Sequence, residues 1–169
     1  MLTIRLAEEK DIDLYFNWVN DPLVRQNSIN SETIKYEDHV NWFSNKIKDP
    51  NSFLYLFINE DSIPVGQVMI ERKGKIVSLS QSVDRNQRGK KYSSEMLTKA
   101  SDRFLENHPD DTIATIVKST NIASLKMSKN SGFTISPPDD PKFNHLVLKG
   151  ALQNDKDFII EAKHILKLI

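Results

Sequence analysis

Ser82-Val83-Asp84-Arg85-Asn86-Gln87-Arg88-Gly89-Lys90-Lys91-Tyr92-Ser93 reads as the end of a strand running through a basic, small-residue loop into a helix. The first N–H groups of a helix have no partners within it, and the positive end of the helix dipole lies at the same place, so this stretch has the makings of a phosphate site. A diphosphate-bearing ligand is the first expectation. The competing reading is a solvated turn of cations, and the strand-loop-helix context favours the ligand.

Upstream of the loop the sequence predicts three strands in an antiparallel meander, Ser52 to Asn59, Pro64 to Glu71 and Lys75 to Val83. They are separated by the turn-forming groups Glu60-Asp61-Ser62 and Arg72-Lys73-Gly74. Before them, Thr3 to Leu6 alternates like a short strand, and Ile12, Leu14, Tyr15, Trp18 and Val19 follow at helical spacing. Asn20-Asp21-Pro22 stops that helix, because a residue preceding proline disfavours helical geometry. A second helix is expected over Tyr36 to Ile47, with His39, Val40, Trp42, Phe43 and Ile47 on its less polar side.

Downstream, Met96, Leu97, Ala100, Phe104 and Leu105 mark a long amphipathic helix ending near His108-Pro109. Thr112 to Lys118 is a β-branched run suited to a buried strand. Thr120-Asn121 can cap a helix from Ile122 to about Asn130, which Gly132 ends. Phe133 to Ser136 and Leu146 to Lys149 are the last strands. The tail carries Phe158, Ile159, Ala162, Ile165, Leu166 and Ile169 at helical spacing and is expected to pack on the domain or on a partner subunit, which would make the protein a homodimer.

The chain has 169 residues, enough for one domain with a core that needs no staples. A single domain spanning residues 1–169 is expected, of mixed α/β class, with a mostly antiparallel, twisted sheet flanked by helices and an extra C-terminal helix. Twenty-three Lys and Arg balance 23 Asp and Glu, so no overall field argues for nucleic acid or an anionic membrane, and any anion site is local. The absence of cysteine removes disulfides, thiolate metal ligands and a thiol nucleophile. Charges stand where a signal peptide would need an apolar run, and no stretch is apolar for long enough to span a bilayer. A cytoplasmic protein that holds no metal is expected.

Arg88-Gly89-Lys90-Lys91-Tyr92-Ser93 resembles the Arg/Gln-x-x-Gly-x-Gly/Ala pattern of the GNAT superfamily of acyl-CoA-dependent N-acetyltransferases. Lys91 takes the first glycine position of that pattern and Ser93 the second. A second family pattern, Asn…Tyr-x-x-x-Gly-Phe, is matched by Asn121, Gly132 and Phe133, with Ser128 in place of the tyrosine. Trp18-Val19-Asn20-Asp21-Pro22-Leu23-Val24-Arg25, then Ser28, then His39-Val40-Asn41-Trp42-Phe43 is similar to acetyltransferases that modify the 4-amino group of nucleotide-linked amino-dideoxy sugars, on the way to nonulosonic acids and surface polysaccharides. Acetyltransferases of ribosomal-protein N-termini share part of this pattern.

The resemblance implies direct transfer of acetyl from acetyl-CoA to an amine within one ternary complex, in a cleft between the strands ending near Val83 and Lys118. It implies cofactor contacts from Ser82, Val83, Arg88, Gly89, Lys90, Lys91, Tyr92, Ser93, Asn121 and Ser124, with Lys91 either aimed outward or adding its ammonium to the phosphates. Acceptor contacts are expected from Trp18, Asn20, Arg25, His39 and Trp42, Arg25 forking onto a nucleotide diphosphate or a carboxylate. Val77 stands where some relatives carry a base. Gln67, Met69 and Glu71 share one strand face, which makes Glu71 the first candidate to take the ammonium proton, ahead of His39 and of a water chain. Ser128 takes the position of the tyrosine that protonates the departing thiolate, with a shorter side chain and a weaker acid.

Each candidate has a structural alternative. Glu71 reads equally as a solvent-facing strand-end glutamate, His39 as a ring packed on Trp42 and Phe43, and Arg25 as a surface ion pair. Trp18, Trp42 and Phe43 read as core, and Asn121 as a helix cap. A non-catalytic acyl-CoA-binding module and a structural interaction protein are the rivals to an enzyme.

Overall fold

A computed structural model describes residues 1–28 and 30–168. Seven strands form one sheet in the order β1-β2-β3-β4-β5-β7-β6. They are β1 (Thr3–Leu6), β2 (Ser52–Ile58), β3 (Pro64–Lys73), β4 (Ile76–Val83), β5 (Thr112–Val117), β6 (Thr134–Ser136) and β7 (His145–Gly150). The helices are α1 (Ile12–Val19), α2 (Pro22–Gln26), α3 (Tyr36–Lys46), α4 (Tyr92–Asn107), α5 (Ile122–Asn130) and α6 (Lys156–Ile165). The chain groups into two compact units, Met1–Met69 with Gln81–Met96, and Ile70–Ser80 with Leu97–Ile169.

In the first unit β1 runs antiparallel to β2, from Thr3 opposite Ile58 to Leu6 opposite Tyr55. The chain then turns into α1 through a single helical turn at Glu9–Asp11, fixed by a two-pronged ion pair. Arg5 Nη1 and Nη2 donate to Asp11 Oδ2 and Oδ1 at 2.7 and 2.9 Å, and the Glu8 N–H donates to Asp11 Oδ2 at 2.8 Å. Tyr15 and Trp18 of α1, Phe43 of α3, and Leu54 and Leu56 of β2 form a core, against which Met69 also packs. The Tyr15 ring lies 5.4 Å from Trp18 and 5.1 Å from Phe43. These aromatic contacts are why the helical spacing of Ile12 to Val19 persists in the fold: the apolar stripe has a matching surface to cover. Between β2 and β3, the Asn59 side chain accepts the N–H groups of Asp61 and Ile63, both at 3.0 Å, making the turn that the polar residues there foretell.

Asn20-Asp21-Pro22 does more than end a helix. Asp21 accepts the Leu23 N–H at 3.0 Å and Pro22 occupies the first position of α2. The stop is therefore also a start, because proline suits the first turn, where no N–H is needed, and aspartate suits the cap.

In the second unit Ile76, Ala114, Leu146, Leu148, Phe158, Ala162 and Leu168 form the core, so α6 packs on its own chain. Ile165, expected on the apolar face of the tail, is exposed, and the helix ends there rather than running on. Lys167 takes a left-handed φ of 58°, and the Leu168 N–H reaches back to the Lys163 carbonyl at 2.8 Å, which folds Leu168 onto the core. Ile169 lies outside the described residues. β5 runs antiparallel to β7 from Thr112 opposite Gly150 to Val117 opposite His145, whereas β4 and β5 run parallel and meet at Val77 and Ile113. Farther along, the Thr115 hydroxyl donates to the Leu79 carbonyl at 3.1 Å, a side chain taking the place of a ladder bond.

Candidate functional site

The end of β4 is anchored from three directions. Gly66 of β3 lies so close that a Cβ there would stand 2.5 Å from the Ser82 carbonyl oxygen and 2.8 Å from Met96 Cε. The Gln67 amide donates to Ser82 Oγ at 3.1 Å. The Asp84 N–H donates to the Val65 carbonyl at 2.8 Å. The Asp84 carboxylate then organises the start of the loop: Oδ1 accepts the Asn86 N–H at 2.8 Å and starts a single helical turn at Arg85–Gln87, while Oδ2 accepts the Trp18 indole N–H at 2.7 Å.

Arg88 comes directly after that turn. Its Nη2 donates to Asp21 Oδ1 at 3.1 Å, and its side chain is 34% exposed whereas that of Asp21 is 8% exposed. Burial pushes the Asp21 carboxyl up, but the Arg88 hydrogen bond, the Leu23 N–H, the Arg88 charge and the Val24 N–H outweigh it and hold the group below the usual carboxylate range. Gly89 and Lys91 are both left-handed, with φ of 79° and 65°, and Gly89, Lys90 and Lys91 are exposed. Lys90 Nζ donates to the buried Gln87 side chain at 3.0 Å, and α4 begins at Tyr92. A cavity of about 210 Å³ is lined by Asn17, Trp18 and Asp21 from the α1–α2 segment and by Ser82, Val83, Asp84, Arg85, Asn86 and Arg88 from the strand end and loop.

Of the residues singled out in the sequence, Trp18, Ser82, Val83 and Arg88 thus share one cavity. Asn20 does not join them. Its side chain clasps Ile34, donating to the carbonyl at 2.9 Å and accepting the N–H at 2.8 Å. Arg25 is likewise spent on its own chain, contrary to the expectation that it forks onto a ligand: Nε donates to the Val19 carbonyl at 2.7 Å, Nη1 to that of Asn30 at 3.0 Å, and Nη2 to Ser28 Oγ at 3.1 Å. A guanidinium with five donors is well suited to hold several carbonyls of one loop. His39 is buried between Phe16, Trp42 and Phe43, and its Nε2 faces the Ile12 carbonyl at 2.9 Å, so that nitrogen carries the proton and is not a base. Trp42 is 38% exposed, on the rim of the aromatic core rather than inside it.

Glu71, read as a candidate base or a solvent-facing residue, is buried, with Oε1 3.3 Å from Lys73 Nζ. In the second unit Asn121 caps α5, accepting the Ser124 N–H at 3.1 Å. Ile116 at the end of β5 and Ile122 at the start of α5 are exposed apolar residues. Ser128 is buried, and its carbonyl accepts the N–H groups of Ser131 and Phe133 at the end of the helix, a backbone duty distinct from the proton donation expected of its side chain. Gly132 is left-handed at 90°, the helix-ending residue the sequence predicts.

Asp21 and Asp84 are site residues that local sequence patterns did not single out. Each has a local mark, aspartate before proline in one case and aspartate at the head of a turn in the other. Their partners Arg88 and Trp18 are distant in the chain, and no local pattern announces them. Among the described residues, no group of three or more His, Cys, Asp or Glu side chains could hold a metal ion, and no helix is long and apolar enough to cross a membrane.

Residues 1–134 match the family described as an acetyltransferase (GNAT) domain. No curated protein matches the chain. Among solved structures, the chain is similar to the spermidine N-acetyltransferase of Vibrio cholerae in complex with CoA and spermine, with a TM-score of 0.74 and 13% identity over 87% of this chain and 93% of that one. It is similar also to an acetyltransferase candidate from Acinetobacter baylyi, with a TM-score of 0.72 and 15% identity over 90% and 94% of the two chains. At such identities the likeness is one of fold. A candidate phosphinothricin N-acetyltransferase has a TM-score of 0.66 and 25% identity, over 88% of this chain and 96% of that one.

Proposed function

The chain belongs to the GNAT acetyltransferase family, and from that premise we propose that it moves acetyl from acetyl-CoA to the amine of a nucleotide-linked amino-dideoxy sugar. It is an acetyl-CoA-dependent N-acetyltransferase of mixed α/β fold. Finer than that, we assign the cofactor's diphosphate to the loop at Arg88–Ser93, read the whole of residues 1–169 as one catalytic domain, and place the reaction in the cytoplasm.

The loop suits a diphosphate. The backbone is left-handed at Gly89 and Lys91, a conformation that recurs in concave anion seats, and a Cβ at Gly89 would meet nothing within 4 Å, leaving open space before the N-terminus of α4. Arg88 and the exposed Lys90 and Lys91 add cations there. Acetyl-CoA supplies the activated acyl group as its thioester. The chain contributes position and charge: β4 ends at Ser82–Val83, where main-chain groups are suited to pair with an extended ligand arm, and one N–H there would polarise the thioester carbonyl, a kind of contact worth about 3–4 kcal/mol of barrier in other enzymes. Asn121 and Ser124, at the first turn of α5, are assigned to the cofactor as well.

The acceptor must lose a proton before its nitrogen can attack. A sugar amine flanked by electron-withdrawing carbons is a weaker base than a lysine side chain, so a modest proton acceptor suffices. We assign this step to Glu71, a buried carboxylate whose Oε1 lies 3.3 Å from Lys73 Nζ. The observation that carries the acceptor reading is Trp18: it belongs to the Trp18-to-Arg25 segment that resembles amino-sugar acetyltransferases, and it lines the cavity at the end of β4. Arg25 and His39 support the shape of that segment from within.

The test is coenzyme A release with acetyl-CoA and a panel of amines: a UDP-linked 4-amino sugar, spermidine and a ribosomal-protein N-terminal peptide. Fastest turnover on the nucleotide sugar is the expected result. Turnover on spermidine or the peptide with none on the sugar would overturn the acceptor assignment and leave the acetyltransferase itself standing.

A further inference from the structure

Asp21 is an acid in the wall of the cavity that the transfer reaction leaves without a task. It is anchored: Pro22 fixes the adjoining backbone, the Leu23 N–H holds Oδ1 at 3.0 Å, and the side chain is almost wholly buried. That same oxygen receives Arg88 Nη2 at 3.1 Å. The contact is single-pronged. Among the described residues no other protein acceptor takes the remaining N–H groups of this guanidinium, and a third of the side chain is exposed along the cavity.

We infer that Asp21 is a positioning residue for cofactor binding, which holds Arg88 by one nitrogen so that the rest of its fork is turned to a phosphate before the phosphate arrives. The inference rests on the assignment of the diphosphate to the Arg88 loop. Arginine is a long, rotamer-rich side chain whose value to phosphate lies in a planar fork that can make two parallel bonds. A two-pronged carboxylate would occupy that fork, as Asp11 does with both Nη atoms of Arg5. A single bond to a fixed oxygen restricts the side chain and leaves the fork available. The cost is that the Asp21 charge partly offsets the attraction of Arg88 for an anion, so two effects of opposite sign act on the same equilibrium. Preorganisation is the larger here, because a side chain this exposed would otherwise sample many rotamers, whereas the charge of Asp21 is already compensated by the Leu23 and Val24 N–H groups.

Asp21→Asn separates the two, since asparagine caps a helix as well as aspartate does and keeps α2 intact. The expected result is a rise of about tenfold in the dissociation constant of coenzyme A, and in KM for acetyl-CoA, with kcat unchanged. In an Arg88→Ala background the same substitution should then do nothing further, because its route runs through the arginine. Asp21→Ser, which also retains a capping oxygen, repeats the measurement should the first variant fold poorly. Unchanged or tighter binding in Asp21→Asn, with Arg88→Ala weakened, would overturn the inference and leave the loop assignment intact. Unchanged binding in Arg88→Ala would remove the loop assignment and the inference with it. A fall in melting temperature with no change in coenzyme A binding marks a purely structural pair and also overturns it.

Discussion

Trp18 Nε1 donates to Asp84 Oδ2 at 2.7 Å, tying the last turn of α1 to the first residue beyond β4. Trp18→Phe keeps most of the buried ring and removes the donor. A hydrogen bond to a charged acceptor contributes about 1.5–3 kcal/mol, so urea unfolding should show a loss of about 2 kcal/mol. A loss below about 0.5 kcal/mol would mean that the indole serves packing alone.

Gly66→Ala puts a methyl group 2.5 Å from the Ser82 carbonyl oxygen, a backbone atom that cannot move without moving β4. Overpacking of this kind costs about 1–3 kcal/mol, and here it also shifts the strand end on which the cofactor arm is proposed to lie. Expected are a lower melting temperature and a raised KM for acetyl-CoA together; full retention of both would show that the strands have slack.

Lys91→Gly tests the left-handed residue. Adopting that region costs an ordinary residue about 1–2 kcal/mol, and glycine avoids it at an entropic cost of about 0.5–1 kcal/mol, so the variant should be as stable as the parent or more stable by up to about 1.5 kcal/mol. If the ammonium attracts the phosphates, coenzyme A binding weakens at the same time, and more so at low salt. Stability and affinity moving in opposite directions is the outcome to look for in thermal melts and titration calorimetry.

Acid should unfold the protein through Asp11 and Asp21. Burial pushes the Asp11 carboxyl up, but the Arg5 hydrogen bond, the Glu8 N–H, the Arg5 charge and the Lys10 charge hold it below the usual range, and Asp21 is held low beside Arg88. Both groups titrate lower in the folded protein than in the unfolded chain. The stability they add is therefore complete above the unfolded carboxyl value of about 4 and is lost as the pH falls through their folded values. Unfolding free energy measured from pH 6 to pH 2 should drop below about pH 4, and Asp11→Asn should flatten that drop. An equal slope in the variant would assign the acid sensitivity elsewhere.

Much of this architecture is legible in the sequence because its signals are periodic. Tyr36 to Lys46 forms a helix, Pro64 to Lys73 and Ile76 to Val83 form strands, and Ile122 to Asn130 is capped by Asn121, all where spacing and turn chemistry place them. α2 is hidden because its five residues leave no room for a period, so Asp21-Pro22 reads as an ending and not as a cap. The tail helix is shorter than its pattern, since Ile165 and Ile169 keep the right spacing whereas the left-handed Lys167 that ends it has a side chain with no such preference. At the site, the left-handed Lys91, like Lys167, carries no mark of its conformation, whereas the strand end, the loop and the helix after it arise from local chemistry. The tethers Asp21 to Arg88 and Trp18 to Asp84 do not, because a carboxylate carries no record of which distant donor it will meet. Glu71 is instructive in another way: a glutamate near a strand end is ordinarily wet, and here the fold buries it beside Lys73.

The parallel meeting of Val77 with Ile113 has a consequence for how the protein is made. β2, β3 and β4 can find one another soon after leaving the ribosome, since each follows the last through a short turn. The far edge of β4 has no such luck: its partner β5 arrives only after the whole of α4 has been synthesised. During that interval a row of unpaired amides and carbonyls on an uncovered strand edge is open to other nascent chains. Slow translation through α4, or its weakening by mutation, should therefore raise the fraction of protein recovered as aggregate even where the finished enzyme is no less stable.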